Sequence, residues 1–371
     1  MAQFNLNGYT GEVPDATEYL RDNYRNHGLL CSGGYGLVLK VSNRTTEEML
    51  VAKELLRIDL PGEVELAERE KRAPRRTVSL PDVMREVDCL AILVNNDSFV
   101  QIKDFFYDDT YFYIIEELIG RGDLFDDINR RFLRGEAYLE SDARNIVRSL
   151  LIGISYMHSL NIVHRDLKPE NILVRSNQKY VICDFGLAIK LDNNNSRTNE
   201  RAGSTNFKAP EQINEYYGIE VDMWALGVIT FIIVAGHYPF MHDNEIESRD
   251  RRSIEQRILD PTYPYFNRGE IWNSAHSARN FVERCLHRDP TMRLTANEAL
   301  QHPWITGAMV EPNIELTDAV IGIRSLSERR RAINILKHKV IFLTRLNILM
   351  RRRRRDNTIN TIQEESDEIT K

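Results

Sequence analysis

The sequence predicts an α+β fold with two lobes, a small N-terminal lobe rich in strands and a larger, mainly helical C-terminal lobe. Residues 29–41 and 49–56 alternate apolar and polar side chains, as two strands around a turn do. Residues 98–107 and 111–118 are also strand-like, whereas helical spacing begins near residue 141 and helices continue to residue 304. Because strands come first and helices later, we expect a cleft between the lobes.

One helix is predicted within the small lobe and two short strands within the large lobe. Apolar residues recur at helical spacing in 83–93, after a charged stretch at 61–76 that we interpret as a surface loop. The short strands are expected around Leu173 and Val181.

Length and composition limit the possible functions. The 371 residues suffice for a catalytic unit of about 280 residues and one regulatory segment. With 42% hydrophobic residues, 28% charged residues and a net charge of -6, nothing global indicates a disordered chain or a specific nucleic-acid binder. The four scattered cysteines lack CxxC spacing and predict a reducing, cytoplasmic or nuclear setting. The longest apolar run, 224–235, is too short for a transmembrane segment.

Basic charge is concentrated near the C-terminus. Between Arg324 and Arg355 lie twelve of the 49 lysines and arginines, but only one of the 55 acids, Glu328. This asymmetry divides the chain into segments. The predicted segments are an N-terminal extension at 1–22, a two-lobed unit at 23–305 with lobes at about 23–117 and 118–305, a basic segment at 306–355 and an acidic, disordered tail at 356–371.

A glycine-rich segment at residues 30–38 suits a strand-turn-strand that binds phosphate. The residues concerned are Ser32, Gly33, Gly34, Gly36 and Val38. Backbone amides in such a turn can approach phosphate oxygens closely, and a Cβ at Gly33 or Gly36 would obstruct that approach. An ordinary hairpin with a flexible turn is an equally good interpretation of these residues alone.

A lysine and a glutamate follow at positions that suit a buried ion pair. Lys53 lies in the next predicted strand and Glu86 in the predicted helix. A buried lysine needs a counter-ion, and Glu86 could hold Lys53 against the α- and β-phosphates of a bound nucleotide. The alternative is a surface lysine and a solvated glutamate.

Four further motifs follow in order. They are His164-Arg165-Asp166-Leu167-Lys168-Pro169-Glu170-Asn171, Asp184-Phe185-Gly186, Ala209-Pro210-Glu211 and Asp222-Met223-Trp224-Ala225-Leu226-Gly227. Across residues 24–304 the chain resembles the eukaryotic protein kinases, and the joint match is very specific. The resemblance implies the bilobal protein kinase fold, ATP and Mg²⁺ as cofactors, and protein substrates.

The resemblance also implies catalytic roles. Asp166 would accept the substrate hydroxyl proton, Lys168 would neutralise the transferring phosphoryl group, and Asn171 and Asp184 would hold two Mg²⁺ ions. A lysine at 168, instead of the Ala-Ala-Arg pattern of tyrosine kinases, indicates Ser/Thr acceptors. Ser204 would brace Asp166 and Lys168.

A nucleotide pocket is implied as well, with departures from the family pattern. Its implied residues are those of the glycine-rich turn together with Ala52, Lys53, Glu117, Ile119, Asp123 and Leu173. Cys31 replaces a glycine, and Ser204-Thr205 stands where Thr-Pro is commoner. Glu116, just before the hinge, replaces an apolar residue and needs either a partner or a raised pKa.

Within the protein kinases, the chain is similar to the calcium/calmodulin-dependent group, and its Arg85-Glu86-Val87-Asp88 segment resembles the phosphorylase kinase catalytic subunit. This similarity implies basophilic specificity, with Asp123 and Glu170 binding an arginine three residues before the acceptor. An equally good interpretation is that Asp123 only holds the ATP ribose.

The activation segment offers two candidates for the anion that Arg165 needs. Glu200 lies three residues before Gly203, where related kinases place a phosphothreonine and phosphorylase kinase places a glutamate. A built-in carboxylate would make phosphorylation there unnecessary. The alternative is that Glu200 is solvated and that Thr198 or Ser196 carries a regulatory phosphate.

The basic segment suits an amphipathic helix. Ile335, Phe342 and Ile348 occupy positions 1, 8 and 14 of such a helix among basic residues, a pattern typical of calmodulin targets. We therefore expect autoinhibition that calmodulin relieves. Weak binding to an anionic membrane surface and a nuclear-import patch are competing interpretations. The competing function is a pseudokinase scaffold whose basic tail recruits partners.

Overall fold

A six-stranded sheet and two helices form the small lobe. The computed structural model describes residues 9–32, 36–57, 78–175, 179–192, 197–214, 216–240, 253–262, 266, 270–308 and 313–332. The elements of the small lobe are β1 (Gly11–Glu12), α1 (Ala16–Asn23), β2 (Tyr24–Ser32), β3 (Gly36–Asn43), β4 (Met49–Leu56), α2 (Leu80–Ile92), β5 (Ile102–Tyr107) and β6 (Tyr111–Glu117). The sheet order is β1-β5-β6-β4-β3-β2, and only the β1–β5 pair is parallel. The predicted strands and helix are confirmed with shifted ends, except that residues 29–41, predicted as one strand, are divided between β2 and β3.

The polar N-terminal extension contributes two elements that the sequence analysis missed. Asp15 caps α1, because its Oδ1 accepts a hydrogen bond from the Glu18 N–H at 2.7 Å. Ala16 and Leu20, one helical turn apart, are buried in a second core on the sheet. Tyr24 then donates to Asp104 at 3.1 Å and ties this layer to β5.

Helices dominate the large lobe, as predicted. Its elements are α3 (Leu124–Leu133), α4 (Glu140–Ser159), β7 (Ile162–Val163), β8 (Ile172–Arg175), β9 (Lys179–Ile182), β10 (Ile189–Lys190), α5 (Pro210–Ile213), α6 (Glu220–Ala235), α7 (Ile254–Leu259), α8 (His276–Cys285), α9 (Ala296–Leu300), α10 (Pro303–Thr306) and α11 at 317–332, with 3-10 turns at Pro169–Asn171, Thr205–Phe207 and Glu270–Asn273. Residues 221–234 of α6 are all buried, as expected for a core helix. Within the described part of the chain, no helix combines the length and apolarity needed to cross a membrane.

Helix α11 follows the predicted end of the two-lobed unit yet belongs to its core. Ala319 and Ile323 are buried among the apolar side chains of the large lobe. A Cβ at Gly322 would lie 2.2 Å from the carbonyl oxygen of Gly236, so the backbones of α11 and the end of α6 are in close contact. The first part of the basic segment is therefore a packed helix of the large lobe.

Candidate active site

One lysine and three carboxylates meet between the lobes. Lys53 lies on β4, Glu86 on α2 and Glu116 on β6. Lys53 Nζ lies 2.8 Å from Glu86 Oε1, 3.0 Å from Glu116 Oε1 and 3.9 Å from Asp184 Oδ1. Burial alone would lower the pKa of Lys53, but Glu116 and Glu86 outweigh burial and raise this pKa well above its usual value. The lysine therefore keeps its positive charge inside the cleft.

The unusual residue Glu116 has both a partner and a raised pKa. Its side chain is buried, with 4% of the residue exposed. Burial raises the pKa of Glu116 to about 7, even though the charge of Lys53 acts in the opposite direction. The two explanations that the sequence left open therefore apply together.

The catalytic loop holds its aspartate from several sides. The Ser204 N–H donates to Asp166 Oδ1 at 2.7 Å, and the Asn171 side-chain amide donates to the Asp166 carbonyl at 2.9 Å. Lys168 Nζ contacts the Asp166 carboxylate and donates to Ser204 Oγ at 3.1 Å. Burial would lower the pKa of Lys168, but Asp166 outweighs burial and raises it. A fixed carboxylate and a charged lysine thus face the same space.

Backbone strain is present next to this aspartate. Arg165 and Asp184 have left-handed backbone conformations, with φ of 67° and 64°. The Arg165 N–H donates to the Asp222 carboxylate at 3.0 Å, and the His164 N–H donates to the same carboxylate at 2.9 Å. Asp222, which is 1% exposed, thereby fixes the strained loop from the large-lobe core.

Asn171 and Asp184 fit a magnesium site. Both carry side-chain oxygens, the ligand atoms that Mg²⁺ prefers. The Asn171 side-chain amide donates to the Asp166 carbonyl, so the amide oxygen of Asn171 is the atom available to a cation. Burial would raise the pKa of Asp184, but Lys53 and Lys168 outweigh burial and hold this pKa below its usual range. The carboxylate is thus ionised, as a metal ligand must be.

The apolar residues predicted for the nucleotide pocket do not all face the charged cluster. Val38 lies on β3, Ile119 just after β6 and Leu173 on β8. The prediction for Ala52 was wrong, because Ala52 precedes Lys53 on β4, faces the other side of the sheet and is buried in the second core with residues of α1. The Glu117 carboxylate accepts from the Gln101 N–H at 3.0 Å, so its side chain is engaged by the protein itself. Val38, which lies opposite Lys53 on the paired strands, thus places an apolar side chain beside the charged cluster.

Only part of the glycine-rich turn is described. Ser32 ends β2, whereas Gly33 and Gly34 lie outside the described residues. The structure gives a further reason for glycine at 36. A Cβ there would lie 1.9 Å from the carbonyl oxygen of Glu54, so the neighbouring strand β4 excludes a side chain.

Asp123, predicted to hold a ribose or a substrate arginine, binds an arginine of this chain. It caps α3 by accepting from the Asp126 N–H at 3.0 Å, and Arg330 Nη2 of α11 lies 2.7 Å from Asp123 Oδ2. Burial raises the pKa of Asp123 to about 6, although Arg330 opposes this shift. The guanidinium of Arg330 also lies 5.6 Å from the ring centre of Phe125.

Neighbouring side chains extend the contact between α11 and α3. Arg331 pairs with Asp126 at 2.9 Å, and Asn129 donates to Ser327 Oγ at 2.8 Å. Among the described residues, the Glu170 Oε2 atom is buried without a hydrogen-bond partner. A cationic side chain would satisfy that oxygen.

Glu200 lies between the catalytic loop and α2. Its Oε2 accepts from Arg165 Nη1 at 3.0 Å and its Oε1 from Arg85 Nη1 at 3.0 Å. Burial would raise the pKa of Glu200, but the two arginines outweigh burial and lower it. Thr198 pairs with Tyr217 through backbone hydrogen bonds. The contact between Arg85 and Glu200 was not predicted from the sequence.

The predicted calmodulin contacts Ile335, Phe342 and Ile348, and the acidic tail at 356–371, lie outside the described residues. The described part of the basic segment ends at residue 332. These predictions therefore remain predictions.

Comparison with known proteins agrees with this geometry. A family model described as "Protein kinase domain" matches residues 24–305. Calcium-dependent protein kinase 13 of Arabidopsis thaliana is 31% identical over 328 residues, which are 87% of this chain and 56% of that protein. Calcium/calmodulin-dependent serine/threonine-protein kinase 1 of Oryza sativa subsp. japonica is 37% identical over 235 residues, 62% of this chain and 37% of that protein.

A third relative matches over most of its own length. Calcium/calmodulin-dependent protein kinase type 1B of Rattus norvegicus is 33% identical over 296 residues, which are 78% of this chain and 77% of that protein. The chain spans about half the length of the calcium-dependent protein kinases it matches. The match of the family model, together with the arrangement around Asp166, shows that the chain belongs to the protein kinase family.

Proposed function

We propose that this chain is a Ser/Thr protein kinase that transfers the γ-phosphate of ATP to protein hydroxyl groups. The observation that carries the proposal is the fixed position of Asp166 beside Lys168 and Ser204. Asp166 orients the acceptor hydroxyl and accepts its proton, and Lys168 stabilises the charge on the transferring phosphoryl group. Bound Mg²⁺, held by Asn171 and Asp184, would neutralise phosphate charge.

The rest of the proposed mechanism is positioning of ATP. Lys53, held by Glu86, binds the α- and β-phosphates, and the apolar residues of the cleft hold the adenine. Excluding water from this cleft strengthens each of these electrostatic contacts. Asp222 keeps the catalytic loop in its strained conformation while substrates exchange.

We further propose that the protein substrates carry an arginine three residues before the acceptor. Two observations support this basophilic specificity. Asp123 binds a guanidinium of this chain at 2.7 Å, and the buried Oε2 of Glu170 lacks a hydrogen-bond partner among the described residues. A substrate arginine would form charge-assisted hydrogen bonds with both carboxylates.

Helix α11 acts as an autoinhibitory segment in this proposal. Arg330 occupies the carboxylate that the substrate arginine or the ATP ribose requires. Arg331 and Ser327 hold the same helix against α3. Substrate binding at Asp123 and docking of α11 therefore compete.

Calmodulin is the proposed activator. The sequence that follows α11 combines basic and apolar residues in a pattern that suits a helix bound between the two lobes of calmodulin. Calmodulin bound to residues beyond 332 would move α11 away from α3 and so break the contact between Arg330 and Asp123. Anionic lipid could act on the same arginines. The matched calcium/calmodulin-dependent kinases support calmodulin over lipid.

Glu200 supplies the activation anion in place of a phosphate. It links Arg165 of the catalytic loop to Arg85 of α2, so one carboxylate orients both elements. A chain with this link needs no phosphate at Thr198 for basal activity.

A peptide panel tests this function. The full chain would be incubated, with and without calcium-loaded calmodulin, with Mg-ATP and peptides that carry Ser, Thr or Tyr as acceptor, each with Arg or Ala three residues before it. We expect phosphate on Ser and Thr and a preference for Arg. Transfer to Tyr alone would refute the acceptor assignment, and equal rates for Arg and Ala would refute the basophilic specificity. The pseudokinase alternative predicts nucleotide binding without transfer.

A further inference from the structure

Glu116 lies close enough to Lys53 to act, like Glu86, as a counter-ion for this lysine. On the paired strands, Lys53 of β4 lies opposite Ile114 of β6, and Glu116 is two residues further along β6. Because side chains alternate along a strand, Glu116 lies on the same face of the sheet as Lys53. The 3.0 Å distance between Glu116 Oε1 and Lys53 Nζ shows that the two charged groups meet.

The ammonium group of Lys53 has room for both carboxylates and a ligand. It carries three N–H bonds. Lys53 donates to Glu86 Oε1 at 2.8 Å and forms an ion pair with Glu116 Oε1 at 3.0 Å, so N–H bonds remain for a phosphate oxygen. An ionised carboxylate as buried as that of Glu116 costs free energy unless a cation lies beside it. Glu116 therefore needs Lys53, just as the buried Lys53 needs an anion.

The two carboxylates are supported by different parts of the small lobe. Glu86 lies on α2, whose position is coupled through Arg85 to Glu200 of the activation segment. Glu116 lies on β6, which is hydrogen-bonded to β4 on one side and to β5 on the other. A shift of α2 would move Glu86 away from Lys53 but would leave Glu116 in place.

We propose that Glu116 is a positioning residue for ATP, a second counter-ion on the sheet that keeps Lys53 directed toward the phosphates independently of α2. The inference rests on the proposed role of Lys53. It predicts that this kinase tolerates loss of the Lys53–Glu86 pair because a second carboxylate remains. Burial raises the pKa of Glu116, and the charge of Lys53 opposes this rise. The ionised form of Glu116 therefore depends on this lysine.

A double-mutant cycle tests the inference. The full chain would be compared with Glu86→Gln, Glu116→Gln and the double variant, and kcat and KM for ATP would be measured for each. Glutamine keeps the size of the side chain and removes the charge. We expect the loss of kcat/KM in the double variant to exceed the product of the two single losses by about tenfold or more, as coupled residues do.

Two results of the cycle would overturn the inference. Losses that multiply would show that the two carboxylates act independently. A gain of activity in Glu116→Gln would show that Glu116 competes with ATP for Lys53. Glu54→Gln is the matched control, because Glu54 lies on β4 next to Lys53, faces the other side of the sheet and accepts from Tyr113. It should show no coupling with Glu86→Gln.

Further measurements separate failure of this inference from failure of the proposed function. ATP affinity, measured on the same four proteins, gives the cycle a readout that needs no turnover, and unchanged melting temperatures exclude a merely structural effect. A Lys53→Met variant that keeps wild-type ATP affinity and activity would also overturn the inference, because Glu116 would have no lysine function to support. Absence of transfer by the unsubstituted chain would instead refute the kinase activity.

Discussion

Replacing Arg330 by alanine isolates the contact that we hold responsible for autoinhibition. The Arg330 side chain is 16% exposed and that of Asp123 is 14% exposed, so water screens their 2.7 Å contact only partly. The substitution leaves the buried apolar residues of α11 in place. It therefore avoids the damage that deletion of the whole helix would cause to the large-lobe core.

The size of the effect follows from these contacts. A hydrogen bond to a charged group contributes about 1.5–3 kcal/mol, and a partly desolvated cation–π contact adds about 0.5–1 kcal/mol. Some of this is offset by the entropy of ordering the arginine side chain, which reaches about 2 kcal/mol. A net loss of about 1–2 kcal/mol would shift the docking equilibrium of α11 by roughly 5- to 30-fold.

The assay is phosphate transfer at low concentrations of ATP and peptide, without calmodulin. We expect Arg330→Ala to raise kcat/KM by about tenfold, within the range worked out for docking. If Asp123 binds the substrate arginine, the gain should be larger for a peptide with arginine three residues before serine. If Asp123 binds the ribose, KM for ATP should fall equally with any peptide.

Arg331→Ala is the matched control, because Arg331 also pairs with an acid of α3 but its side chain is 62% exposed. An exposed pair contributes about 0–1 kcal/mol, so its activation should stay below about fivefold. Equal activity of the wild type and both variants would refute the reasoning that Arg330 blocks the site.

Three further predictions concern stability and activation. Arg293→Ala should reduce the free energy of unfolding in urea by about 3–5 kcal/mol, because it leaves the buried carboxylate of Glu211 unpaired. Glu200→Gln should lower kcat by about tenfold, because it weakens two charge-assisted contacts, whereas Thr198→Ala should change kcat less than twofold. A larger loss of kcat in Thr198→Ala than in Glu200→Gln would favour a regulatory phosphate. Gly36→Ala should lower the melting temperature by several degrees, on the order of 1–3 kcal/mol of strain, whereas a Cβ at Gly120 meets no atom within 4 Å and Gly120→Ala should not.

Sequence reasoning succeeded where short motifs carry the chemistry. Asp166, Lys168 and Asn171 lie within six positions of one another, in the motif that carries the resemblance to protein kinases, so their proximity could be predicted. The order of strands and helices predicted the two lobes for the same reason, because periodicity is a local property. The fold class and the cleft are confirmed.

Contacts between distant segments could not be predicted in this way. Arg330 reaches Asp123 because α11 packs against the end of α6, and Arg85 reaches Glu200 because α2 lies over the activation segment. Both contacts depend on tertiary packing, which periodicity does not encode. The contact of Gly36 with the Glu54 carbonyl was not predicted for the same reason.

The most direct test of the central claim compares the wild-type chain with Asp166→Asn, which keeps the shape of the side chain but removes the charge that accepts the proton. Both proteins would be given Mg-ATP and a serine peptide, and ATP affinity and peptide phosphorylation would be measured in parallel. The account predicts similar ATP affinity and a loss of phosphate transfer by about a hundredfold or more in the variant, as expected for a proton acceptor. Equal transfer by both proteins, or none by the wild type, would contradict it.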